Sequence, residues 1–210
     1  MDGSEHSLEQ LAKLATERDV LWVVDSGTEI EQVILPAIEE WLSERYYPMD
    51  NRWLDNSRLS SYATGETLSL HPEEENFGGK VLLADVGLDQ GPVRPGEFVR
   101  LGLNWQALIG MEQDYAVFIH LVGPDGEFWG QRDSQPPNGF QPTSVWTVGE
   151  TIQDNHSIRL SSDVPPGEYR LVLGLYDTVD GQQLTLLGES ATAQGDAFVL
   201  DTLAVIGPVE

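Results

Sequence analysis

Residues 128–146, FWGQRDSQPPNGFQPTSVW, hold the densest mixture of side chains suited to recognition chemistry. Aromatic rings (Phe128, Trp129, Phe140, Trp146) alternate there with planar polar groups (Gln131, Arg132, Asp133, Asn138). Such a mixture suits saccharides, whose apolar face takes a ring while amides and carboxylates take the hydroxyls. Trp129 is the expected stacking surface, with Gln131, Asp133 and Asn138 as hydroxyl partners. The same stretch also reads as a long proline-rich loop folded back over a sheet. In that reading Phe140 and Trp146 are buried anchors and the prolines alone account for the order.

Catalytic constellations are harder to find. No G-x-S-x-G, S-x-x-K or H-E-x-x-H motif occurs. His6, His71, His120 and His156 never stand at metal-ligand spacing from one another. Asp154 and His156 are two apart and share a face if their segment is a strand. They read either as a hydrogen-bonded pair closing over a core or as two ligands of a cation completed from elsewhere. His120, inside an apolar stretch, reads as a satisfied core or interface histidine. Asp25-Ser26-Gly27-Thr28 could offer backbone N–H groups to an anion. It lacks dinucleotide-loop glycines and a phosphate-loop lysine, so Asp25 and Thr28 are expected to cap the helix that follows. Glycosidase chemistry needs two carboxyls at a defined separation, and among 35 acids some pair always qualifies. No catalytic residue and no metal ligand is assigned.

Charge narrows the partners. The chain has 210 residues, 11 Lys+Arg against 35 Asp+Glu, and a formal net charge of −24. Nucleic acids and anionic lipid surfaces reward basic patches, so neither is an expected partner. An acidic, lysine-poor surface fits an extracellular, saline or acidic setting and attracts divalent cations weakly. Calcium is therefore the one cofactor considered, and none is assigned. Cysteine is absent, which excludes disulfides, thiolate metal sites and cysteine catalysis. No apolar run reaches the roughly 18–20 residues that span a bilayer. The opening MDGSEHSLEQ lacks a basic and an apolar region, so no signal peptide is expected.

These residues must be positioned by two kinds of element. In residues 1–65, Ser7 and Gln10 suggest a capping box ahead of Leu8, Leu11, Leu14 and Ala15 at helical spacing. The run VLWVV at residues 20–24 suggests a strand buried on both faces. Ile30, Val33, Ile34, Ile38, Trp41 and Leu42 form an amphipathic stripe, with a kink or late start expected at Pro36. Residues 45–54 and 58–62 suggest short strands.

Beyond Thr64 the period becomes two. Leu82, Ala84, Val86 and Leu88 alternate with polar neighbours, as do Val99, Leu101, Leu103 and Trp105. The set Phe198, Leu200, Thr202, Ala204 and Ile206 does the same. YAVFIHLV (115–122) and YRLVLGLY (169–176) are apolar on both faces, as central strands should be. Ile152, Ile158 and Leu160 mark one more strand. Six Gly-Glu pairs sit mostly before expected strands, where glycine supplies a turn; the alternative is a belt of calcium-binding carboxylates. The expected organisation is a small α/β segment at 1–65 followed by a β-sandwich domain at 66–210. In class terms this is an α+β segment ahead of an all-β antiparallel sandwich, immunoglobulin-like or jelly-roll-like.

Several of these residues carry a family likeness. Phe118-x-His120-Leu121, Gln131-x-Asp133-x-x-Pro136, Pro142-Thr143 and Trp146-x-x-Gly149-Glu150 belong to it. Asp154, Pro166-Gly167-x-Tyr169 and Gly174-Leu175-Tyr176-Asp177 complete it. Together they resemble the soluble C-terminal extracytoplasmic domain of bacterial integral-membrane glycosyltransferases of the protein-mannosyltransferase-like class. RDVLWVVDSGTEIEQVILPAIEEWLSERY looks like the exported α/β segment after the last membrane helix of such enzymes. The resemblance implies an accessory part of a lipid-linked-sugar-dependent glycosyltransferase, lying at the extracytoplasmic face of the membrane. Its partners would be a glycan or acceptor and the transmembrane part of the same polypeptide. The family's catalytic acid lies in the membrane core, so this chain alone is expected to be non-catalytic. The alternatives are a free-standing carbohydrate- or calcium-binding sandwich and, third, a soluble glycoside-processing hydrolase.

Overall fold

The computed structural model describes residues 3–26, 29–188 and 197–207, with the side chains of 3–7 and 29–34 left aside. The chain divides into two compact units, Met1–Thr67 and Leu68–Glu210.

The first unit contains helices α1 (Gly3–Glu17) and α2 (Glu29–Arg45) and strands β1 (Val20–Asp25), β2 (Tyr47–Leu54) and β3 (Ser57–Ala63). The strands form an antiparallel sheet in the order β1-β3-β2. Its core gathers Ala15, Leu21, Leu42 and Tyr62, with Val23, Ile38 and Trp41 packed against them. Both helices therefore cover the face that carries Leu21 and Val23. The opposite face of β1 leaves Trp22 and Val24 53% and 56% exposed, so the strand is not buried on both sides. A continuous apolar run had concealed a one-sided sheet. Ser7 lies inside α1 and not at its cap, because the helix already runs from Gly3. α2 starts at Glu29 and continues through Pro36, so no late start occurs. Gly27 and Thr28 lie outside the described residues, and the expected cap with them.

One charged group is built into this unit. Arg58 Nη2 donates to Glu39 Oε2 at 2.6 Å and lies 3.7 Å from Asp25 Oδ2, while Ser60 Oγ donates to Glu39 Oε1 at 3.2 Å. Glu39 is buried. Burial works against the guanidinium charge, but the Glu39 hydrogen bond and the two carboxylates outweigh it and raise the Arg58 pKa.

The second unit is a β-sandwich. Its strands are β4 (His71–Phe77), β5 (Val81–Leu88), β6 (Phe98–Ala107), β7 (Tyr115–Val122) and β8 (Phe128–Ser134). They continue with β9 (Thr151–Arg159), β10 (Gly167–Asp177), β11 (Leu186–Leu187) and β12 (Phe198–Val205). A five-stranded sheet, β11-β4-β5-β6-β9, faces a four-stranded sheet, β12-β10-β7-β8, and every ladder is antiparallel. Among the described residues the unit's helical structure is one 3-10 turn, Thr143–Val145.

Between the sheets lie Val99, Leu101, Leu103 and Trp105 from β6, Val117, Ile119 and Leu121 from β7, and Leu171, Leu173 and Leu175 from β10. On β6 the expected alternation holds throughout. On β5 it holds only in part. The core residues are Val81 and Leu83, and a register shift between Leu83 and Asp85 then turns Val86 and Leu88 inward. β12 behaves alike: a shift opposite Leu171/Val172 lets Phe198, Leu203 and Val205 all face the core. A bulge adds one residue to a strand and so exchanges its faces.

Candidate functional site

Strand β8 makes the first seven residues of the 128–146 stretch regular structure and not loop. It is the edge of the four-stranded sheet and pairs with β7 alone in that sheet. Register fixes its faces. Ser134, Arg132 and Gly130 lie opposite the core residues Val117, Ile119 and Leu121. Asp133, Gln131 and Phe128 lie opposite Phe118, His120 and Val122, on the outer face. The shift between Leu121 and Val122 leaves Trp129 as the extra residue.

The outer face carries a row of rings. Phe118 and His120 are 5.0 Å apart between centroids, and His120 and Phe128 are 4.5 Å apart. Tyr176 of β10 stacks on Phe118 at 6.4 Å. Phe118 is buried, while Phe128 is 57% exposed. Asp133 Oδ1 lies 3.4 Å from His120 Nε2, and Gln131 stands directly opposite His120 on the next strand. Burial and the Asp133 charge both raise the Tyr176 pKa, so its hydroxyl stays a donor across the neutral range. A ring row bordered by a carboxylate, an amide and a phenol can stack on a sugar face and bind its hydroxyls.

The four residues singled out in the sequence separate into two groups. Gln131 and Asp133 meet on the outer face. Trp129 is half-buried: it packs against the core and meets Tyr169 edge-on at 6.4 Å. The bulge turns it from the outer row, so the exposed ring on that face is Phe128. Asn138 sits in the following loop at φ 52°, where its Oδ1 accepts a hydrogen bond from Arg132 Nη2 at 3.0 Å. It ties the loop to β8. The loop also folds on itself through Gly139 N to Gln135 O at 2.6 Å. Trp146 anchors its far end, buried and donating Nε1–H to Gln141 O at 2.7 Å; Phe140 is half-buried.

Phe128, His120, Phe118 and Tyr176 were not marked by sequence reasoning as site residues. A histidine flanked at two-residue spacing by an aromatic, in a strand apolar on both faces, is the signal that was present.

Beside the row the sandwich opens into a depression of about 560 Å3. It is lined by Phe128, Trp129, Gly130 and Gln131 of β8 and by Arg159, Leu160, Ser161 and Ser162 at the end of β9. The two edges touch here. Ser161 N donates to Trp129 O at 2.7 Å, and a Cβ on Gly130 would stand 2.8 Å from Arg159 O. Glycine is required by that approach.

Asp154 and His156 do share a strand face, and it is the core face. Asp154 Oδ2 contacts His156 Nε2 at 2.7 Å and accepts Trp105 Nε1–H at 3.1 Å. All three side chains are fully buried. No substrate reaches them, so the pair is structural. Among the described residues no three His, Asp or Glu side chains gather to hold a metal ion.

No protein-family model matches the chain, and no curated protein does. Solved structures that match part of the chain include the C-terminal domain of Wzt, at 14% identity over 68% of this chain and 84% of that one, TM-score 0.42. A Niemann-Pick type C2 protein from Japanese carpenter ant matches at 7% identity over 67% of this chain and 100% of its own, TM-score 0.37. A Bacteroides uniformis beta-glucuronidase 2 mutated in its calcium binding matches at 10% identity over 62% of this chain and 14% of that chain, TM-score 0.36.

Proposed function

We propose that this chain is a non-catalytic carbohydrate-recognition module and that the outer face of its four-stranded sheet receives the glycan. One observation carries the reading: the ring row Phe118–His120–Phe128 is bordered on its own face by Gln131 and Asp133. An exposed ring beside fixed polar groups matches a sugar, which has an apolar face and a rim of hydroxyls. Each solvated hydrogen bond nets only about 0.5–1.5 kcal/mol. The affinity is therefore high-micromolar to millimolar, roughly −4 to −6 kcal/mol.

The finer reading is that the module serves a membrane glycosyltransferase of the protein-mannosyltransferase-like class. It would hold glycan or acceptor at the extracytoplasmic face beside the membrane part of the same polypeptide. Its support is that the motif residues Phe118, His120, Gln131 and Asp133 share one face. A hydrophobic multi-span region encoded in frame with this chain is the expected finding for that reading, and its absence from the gene removes it.

Titration with oligosaccharides, followed by tryptophan fluorescence or NMR shifts, tests the module. Phe128→Ala should abolish binding while leaving the melting temperature unchanged. Binding equal to that of the parent would move the site elsewhere.

A further inference from the structure

Arg159 sets the chemistry of the depression beside the ring row. It is the last residue of β9, directly opposite Phe98, and its guanidinium carbon lies 5.6 Å from the centre of that ring. Among the described residues Arg159 forms no ion pair. The lining also includes Gln131, Ser161 and Ser162 and contains no Asp or Glu, while the Ser161 hydroxyl donates to the Asp163 carboxylate next to it. In a chain with 35 acids against 11 bases, a lining whose one charged residue is a cation runs against the overall charge.

We infer that the depression takes an oxyanion carried by the saccharide, a carboxylate or a phosphate, with Arg159 as its anchor. The inference rests on the saccharide reading above and names the class of sugar. A guanidinium presents a planar fork of N–H donors that matches two oxygens of either group. The Phe98 ring restrains that fork before the ligand arrives, so less freedom is lost on binding. Phe128 and Gln131 belong to both the ring row and the depression. A sugar stacked on Phe128 can therefore project its charged substituent toward Arg159. The long-range field of an acidic protein opposes an anion, but it is screened beyond roughly 8 Å at physiological salt. The local contact decides.

The probes are an oligogalacturonate, its methyl ester, and glucose 6-phosphate compared with glucose. The ester keeps the sugar backbone and removes the charge. The expected result is binding of the free acid, of the phosphate, or of both about five- to tenfold tighter than of the neutral counterpart. That preference should vanish in Arg159→Gln and survive in part in Arg159→Lys, with thermal melts unchanged in both. Which charged probe gains identifies the oxyanion. If charged and neutral probes bind equally, Arg159→Gln has no effect and Phe128→Ala abolishes both, the oxyanion inference is overturned and the saccharide reading stands. If none of these saccharides binds, and no neutral oligosaccharide does, the saccharide reading itself falls and takes this inference with it.

Discussion

His120 and Asp133 face one another across the β7–β8 pair, Nε2 to Oδ1 at 3.4 Å, with the imidazole held between the Phe118 and Phe128 rings. The carboxylate thus stands at the border of an aromatic surface and orients the one polar ring within it. Asp133 is 45% exposed, so on the saccharide reading its loss removes a hydroxyl partner without opening the core. Asp133→Asn should weaken oligosaccharide binding about three- to tenfold, the equivalent of one hydrogen bond. Its unfolding free energy in urea should match the parent within about 0.5 kcal/mol. Unchanged affinity in a fluorescence titration would remove Asp133 from the site.

The Trp105–Asp154–His156 cluster should behave as one unit. Removing one member of a buried hydrogen-bonded pair strands the other and costs about 1–3 kcal/mol. Asp154→Ala is expected to lose that much in urea unfolding, and Asp154→Leu with His156→Leu less than the sum of the single changes. Strict additivity would show that the two side chains are not coupled.

Trp146 closes the 128–146 stretch from within. Its indole is 6% exposed and bonded to Gln141 O. Trp146→Ala should cost about 3–5 kcal/mol, read by chemical denaturation. A variant as stable as the parent would mean that the loop holds itself.

Gly130 tests the contact between the two sheet edges. A Cβ there meets the Arg159 carbonyl at 2.8 Å and Ile158 Cγ1 at 3.3 Å. Gly130→Ala should destabilise by about 1–3 kcal/mol, as overpacking does. A neutral melt would indicate that β8 moves away from β9 at little cost.

Glu73 supplies a pH dependence. Partial burial, followed by the neighbouring charge of Glu75, raises its pKa in the folded protein. The folded state then binds the proton more tightly than the unfolded one, so stability is lost as pH rises through the raised value. Glu73→Gln should be more stable than the parent at pH 7, and the advantage should disappear below about pH 4, near the ordinary glutamate value. Denaturant curves at both pH values decide it.

The class of fold was legible because period-two patterning survives wherever a strand has one core face. β6 shows this with Val99, Leu101, Leu103 and Trp105, all fully buried. Patterning failed where a bulge exchanged faces midway, as at Leu83/Asp85 in β5 and Leu171/Val172 beside β12. The same effect governed the site. Gln131 and Asp133 were legible as residue types, but the shift at Leu121/Val122 decides that Phe128, not Trp129, stands beside them. One inserted residue leaves no mark in composition. The apolar outer residues of β7 were legible as buried, and Phe118 is 4% exposed although it lies on the outer face. Arg159 was not legible at all, because its importance depends on which residues are absent around it.

At both edges of the four-stranded sheet the chain makes backbone bonds to segments outside it. On one side Ser161 N bonds Trp129 O of β8; on the other Val93 N bonds Ala204 O and Ile206 N bonds Val93 O, alongside β12. Each bond of this kind takes an edge group that a foreign strand would otherwise pair with, and edge pairing is the common route from a native sandwich to a fibril. Crowding many copies side by side should therefore promote less strand exchange between neighbours than a bare edge would.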